Sequence, residues 1–129
     1  MKKAAGLWMI LMVFCSNLWA SHVMAFNENE FKKLQKQNAA ILVDVYAGWC
    51  STCQAQNDIL KKYKREYPQA KLHILRVDFD KDKQWVRYFK APRQGTLLLY
   101  QGKKRVWFGV GETRQDVIFQ KLNKMADSQ

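Results

Sequence analysis

Seven residues of almost unbroken apolar character, Ala40-Ile41-Leu42-Val43-Asp44-Val45-Tyr46, run directly into Ala47-Gly48-Trp49-Cys50-Ser51-Thr52-Cys53. A short β-branched run of this kind predicts a strand covered on both faces, and so one in the middle of a sheet. Two thiols separated by two residues can close on each other only where the backbone turns sharply. A strand that ends in a turn and starts a helix provides that turn. It also sets the first sulfur among unpaired helix N–H groups, which favour negative charge. The thiolate is the reactive form of cysteine, so the segment predicts dithiol redox chemistry at a strand-to-helix junction.

The rest of the chain supplies the elements such a junction needs. Asn27 followed by Glu30 predicts a capped helix to about Gln37, with Phe31 and Leu34 facing inward. A long helix follows from about Cys50 to Tyr67 and is closed by Pro68. Leu72 to Asp78 predicts a second strand, Asp82 or Lys83 to Phe89 a short helix, and Thr96 to Tyr100 a third strand. The turn Gln101-Gly102-Lys103 leads into an antiparallel partner, Arg105 to Val110. After Gly111, Thr113 is expected to cap a last helix with Val117, Ile118, Leu122 and Met125 at helical spacing. The order αβαβαββα implies an α/β fold, a mixed central sheet of about four strands flanked by helices on both faces. No repeat or linker divides it.

The N-terminal segment has a different character. Lys2 and Lys3 precede an apolar stretch from Ala4 to Phe14, and small residues return at Ala20, Val23 and Ala25. This pattern predicts a secretory signal peptide over residues 1–25, cleaved after Ala25 or, as second choice, after Ala20. The apolar run is short for a membrane span of about 20 residues, so no stable membrane insertion is expected after cleavage. The large Phe14 before Cys15 argues against lipid attachment. Removal of residues 1–25 leaves one domain, residues 26–129, whose only thiols are Cys50 and Cys53. Structural disulfides in exported proteins usually join distant segments, and a bridge closing so small a loop adds little through chain entropy. Chemistry explains the pair better. Net charge falls from +11 to +9 as Lys2 and Lys3 leave, which favours acidic partners or anionic envelope surfaces. Nucleic acid is not an expected partner: the densest basic cluster, Lys61-Lys62-Tyr63-Lys64-Arg65, reads as the solvated face of a helix.

Val43-Asp44-Val45-Tyr46-Ala47 leading into Trp49-Cys50-Ser51-Thr52-Cys53, then Thr96-Leu97-Leu98-Leu99-Tyr100 with its Gly102 turn, and Val110-Gly111 before the last helix, resemble the thioredoxin family over nearly the whole of residues 26–129. The resemblance implies a thioredoxin-like domain and a thiol–disulfide oxidoreductase, expected to act in the reducing direction; the signal peptide adds the expectation that it is exported, periplasmic or secreted. It implies Cys50 as the exposed nucleophile, Cys53 as the buried resolving thiol, and a Cys50–Cys53 disulfide in the oxidised state. It also implies Asp44 beneath Cys53 as a proton relay, since burial raises a carboxyl into a useful range. The plain alternative for Asp44 is solvent exposure at a strand end. Trp49, Gly95, Thr96 and Gly111 are the implied substrate-binding residues, with core packing as the alternative for Trp49. Disulfide-containing proteins are the implied substrates, and a membrane or exported electron donor the implied partner. No cofactor is implied.

Three departures from the family pattern bear on the site. Gly95, in Arg93-Gln94-Gly95-Thr96, stands where the family usually carries a cis proline. A cis bond before a non-proline residue is costly, so a trans or locally rearranged loop is expected. Such a loop gains an N–H, lacks a rigid wall and docks substrate more loosely. The motif interior, Ser51-Thr52, lacks the family's glycine-proline. The family lysine four residues before the aspartate ending the second strand corresponds to Ile74, which leaves Asp44 without an expected cationic partner. Two other function classes remain open. One is a metal or cluster held by Cys50 and Cys53 across a dimer, because tetrahedral zinc needs four ligands and His73 lies in a strand. The other is a non-catalytic interaction module using Trp85, Trp107 and Phe108.

Overall fold

The computed structural model describes residues 23–127. Nine elements follow one another: β1 (Val23–Ala25), α1 (Glu28–Lys36), β2 (Ala40–Tyr46), α2 (Ser51–Glu66), β3 (Leu72–Asp78), α3 (Lys83–Tyr88), β4 (Thr96–Gln101), β5 (Lys104–Val110) and α4 (Gln115–Ala126). The strands form one mixed sheet in the order β1-β3-β2-β4-β5. β2 is central, as its apolar run predicts, parallel to β3 and antiparallel to β4.

The sheet has five strands, not four. The additional one, β1, pairs parallel with β3 through Val23↔Ile74, Met24↔Leu75 and Ala25↔Arg76. Three exposed residues carry no periodicity of their own, and only the free edge of β3 makes them a strand. They also fall inside the expected signal peptide, the remainder of which, with Cys15 and His22, lies outside the described residues.

Alternation along β2 divides the core into two layers. Ile41, Val43 and Val45 face a cluster with Phe31 and Leu34 of α1 and Val86 of α3. Leu42 faces a second cluster with Leu60 and Tyr63 of α2 and Ile118 and Leu122 of α4. Asp44 shares the Leu42 face by the two-residue period of a strand, so the carboxylate points toward the helix that carries the cysteines.

The helix ends show which local signals were sufficient. Asn27 caps α1 as expected, accepting from the Glu30 N–H at 3.0 Å. Thr113 does not cap α4: Arg114 occupies that position, without a side-chain cap bond. The entry is organised instead by the Glu112 carboxylate, which accepts from the Arg114 backbone N–H at 2.9 Å and from its guanidinium at 2.9 and 2.8 Å. Of the aromatics considered for an interaction module, Trp85 stacks on Phe26 at 4.7 Å and Trp107 packs against the α2/α4 core. Phe108 is exposed, with Arg105 over its ring at 5.0 Å.

Candidate active site

The dithiol sits where β2 hands over to α2. Cys50 is the N-cap of α2 in an extended conformation, and its Sγ accepts from the Cys53 backbone N–H at 3.1 Å. The sulfur therefore takes the place a serine or aspartate oxygen holds at other helix starts, with an orphan N–H pointed at it. Both cysteines are free thiols, the reduced form of the pair. Cys50 is buried, at 4% exposure against 1% for Cys53. This corrects the expectation of an exposed nucleophile: Ala47, Tyr46 and Phe79 pack around the pair. Trp49 is the exposed residue of the motif, at 63%. Its indole N–H donates to Asp80 Oδ2 at 2.8 Å, which ties the loop before α2 to the loop after β3.

Burial pushes the Cys53 thiol up to about 11, assisted by its contact with Cys50 and by the nearby charge of Asp44. At neutral pH roughly one Cys53 in ten thousand is then a thiolate, so resolution needs a base. Asp44 is buried, at 1% exposure, which removes the solvent-exposed alternative. Desolvation raises its carboxyl above the ordinary value, and Arg76 pulls it partly back. Oδ1 has no hydrogen-bond partner, while Oδ2 accepts from Arg76 at 3.0 and 3.2 Å. A buried carboxyl with one bare oxygen is suited to holding and releasing a proton.

The expectation that Asp44 lacks a cation is overturned. Arg76 stands directly across from it in the parallel register of β2 and β3. Its guanidinium also donates to Asn57 Oδ1 of α2 at 2.9 Å and lies 4.2 Å from the Tyr46 ring centroid. Residues 74, 76 and 78 share one face of β3. The cation is on the same face as Ile74, two residues along.

The loop at Gly95 is anchored by hydrogen bonds within the fold. No described peptide bond is cis, and Gly95 has a φ of +73°, a conformation closed to proline. Its additional N–H is not offered to a partner; it donates to the Val45 carbonyl at 2.8 Å. Its own carbonyl accepts from the Gly111 N–H at 2.8 Å and from the Gln56 side chain at 2.9 Å. Thr96 cannot present its side chain to a substrate: it is fully buried, and its hydroxyl donates to the Arg93 carbonyl at 2.6 Å. Gly111, with a φ of +66°, stays at the surface and links the loop after β5 to Gly95. Gln56 is the member that sequence reading missed. A glutamine three residues beyond Cys53 looks like an ordinary helix-surface residue, yet it is completely buried.

Cys50 and Cys53 make two ligands, and among the described residues no group of three or more histidines, cysteines or carboxylates is placed to hold a metal. The arrangement suits thiol–disulfide exchange: a sulfur accepting a backbone N–H at a helix start, a second sulfur one turn on, and a buried acid on the same face.

Comparison with known proteins agrees. The thioredoxin family model matches residues 22–124. Thioredoxin-1 of Saccharomyces cerevisiae is 34% identical over 83 residues, 64% of this chain and 79% of that protein. The crystal structure of Trxlp from Edwardsiella tarda EIB202 superposes with a TM-score of 0.73 at 32% identity, covering 78% of this chain and 98% of that one. Oxidised mitochondrial thioredoxin 3 of Saccharomyces cerevisiae shares the fold at a TM-score of 0.65 and 22% identity, over 79% of this chain and 92% of its own. Dithiol geometry, sheet order and relatives converge: the chain belongs to the thioredoxin family and is a thiol–disulfide oxidoreductase.

Proposed function

We propose that the protein works outside the cytoplasm and in the reducing direction, using Cys50 and Cys53 to open disulfides in protein substrates. The observation that carries this reading is the buried Asp44 beside a Cys53 thiol held at about 11. Reduction ends only when Cys53 loses its proton and attacks, and Asp44 is the group that favours that step. In sequence, the Cys50 thiolate attacks one substrate sulfur and the substrate S–S bond breaks. The second substrate sulfur leaves as a thiolate, and Cys50 is left in a mixed disulfide. Asp44 accepts the Cys53 proton, and Cys53 displaces the remaining substrate sulfur from Cys50. The substrate gains two electrons and two protons while the protein closes its Cys50–Cys53 disulfide. An oxidising compartment requires an external dithiol donor, at the membrane or itself exported, to reopen that bridge.

Export rests on the Lys2-Lys3 start and the apolar run after it. Cleavage after Ala20 fits the fold better than cleavage after Ala25, because the later cut removes β1 and its pairing with β3. Mass spectrometry of the exported chain is expected to give Ser21 as the first residue. A chain still beginning at Met1 contradicts export, and one beginning at Phe26 contradicts retention of β1.

The catalytic reading is tested by insulin reduction with dithiothreitol as donor. Wild type is expected to accelerate precipitation of the freed insulin chains, and Cys50→Ser to fall to the uncatalysed rate. Equal rates for the two would remove catalysis from the dithiol and favour an interaction module.

A further inference from the structure

Gln56 lies on α2 three residues beyond Cys53 and is fully buried, like Cys53, Leu60 and Tyr63 of the same helix. A carboxamide in that position is costly unless its polar atoms are bonded. Its amino group uses both hydrogens, on the Gly95 carbonyl at 2.9 Å and on the Glu112 carbonyl at 3.0 Å, while its buried Oε1 has no hydrogen-bond partner. Those acceptors belong to different loops, one entering β4 and one leaving β5. The loops also adjoin the Thr96↔Val110 pair of β4 and β5 and meet through the Gly111 N–H to Gly95 carbonyl bond.

The surroundings show what the clamp holds. Gly95 is tied to the end of β2 through its N–H and to α2 and Gly111 through its carbonyl. A methyl group added at Gly95 would stand 3.2 Å from Thr52 Cγ2, so the loop rests against the interior of the dithiol motif. The second loop is braced from outside by the Glu112–Arg114 pair, leaving its inner side to Gln56.

We infer that Gln56 is a positioning residue for substrate docking: its carboxamide fixes the Gly95 and Glu112 loops at set distances from the helix that carries Cys50 and Cys53. The rigid wall missing at Gly95 is replaced from beneath by a side chain of the catalytic helix. The inference rests on the thiol–disulfide exchange reading and concerns only how a protein substrate is held. Small disulfides need no docking surface, so the two substrate classes separate the roles.

The test compares wild type and Gln56→Met, which keeps chain length and burial but donates no hydrogen bond. The KM for insulin is expected to rise about tenfold while kcat changes little, as expected for the loss of binding interactions. The rate with the small disulfide 5,5′-dithiobis(2-nitrobenzoate) is expected to stay within about twofold. An unchanged insulin KM, or an equal loss on both substrates, overturns the inference. Wild type inactive on both substrates would instead overturn the exchange reading itself. Hydrogen exchange of wild type reads the clamp without a variant, should Gln56→Met not fold. The Gln56 side-chain amide and the Gly111 N–H are expected to exchange slowly, and free exchange of both contradicts the clamp.

Discussion

Cys53→Ser is expected to stall the protein as a covalent adduct with its substrate. The hydrogen bond that supports Cys50 comes from the backbone N–H of residue 53, at 3.1 Å, and survives the substitution. Attack by Cys50 therefore proceeds. The serine hydroxyl cannot displace a thiolate, so the mixed disulfide persists and insulin turnover drops to background. Non-reducing mass spectrometry is expected to show the sum of the two masses, reversed by dithiothreitol. Sustained turnover without an adduct would mean that Cys50 works without a resolving partner, and the two-thiol mechanism would be wrong.

Asp44→Asn is expected to slow decay of that mixed disulfide about 100-fold near neutral pH, the lower range for loss of a positioned general base. Formation of the adduct should change little, because Cys50 does not rely on Asp44. In wild type the decay rate should rise with pH through the raised value of the Asp44 carboxyl; in the variant that dependence disappears. Arg76→Met should move the wild-type profile to higher pH, since Arg76 lowers the carboxyl against the effect of burial. Stability carries the opposite sign. A carboxyl held above its ordinary value of 3.8 favours the neutral, folded form. The stability it contributes is present at or below that pH and is lost as pH rises through the folded value. Asp44→Asn cannot ionise, so its stability relative to wild type should increase with pH across that interval. Identical decay kinetics for the two proteins would leave Asp44 with a packing role.

These expectations depend on parts of the site that differ in how visible they were from the sequence. The dithiol junction was legible because Ala40–Tyr46 has the composition of a central strand and Trp49–Cys53 follows it at once. Asp44 was legible as the one charge in that run. Arg76 was not, because the family pattern puts its lysine at the position of Ile74. The strand period puts 74 and 76 on one face, but the rung opposite Asp44 is set by β2/β3 register, a tertiary property. Cys50 lost its expected exposure to packing by Tyr46 and Phe79, residues from two separate strand ends. The Gly95 loop is trans, as its sequence implies, but its anchoring was not legible, because the groups that hold it come from β2, α2 and the loop after β5. Short strands such as β1 exist only through their neighbour.

The reduction potential of the Cys50–Cys53 pair, measured against a glutathione or dithiothreitol redox buffer, tests the central claim most directly. A base beneath the resolving thiol suits a protein that donates electrons, and the account predicts a value near that of thioredoxin, about −270 mV. A value near −120 mV, the range of a strong dithiol oxidant, would contradict it.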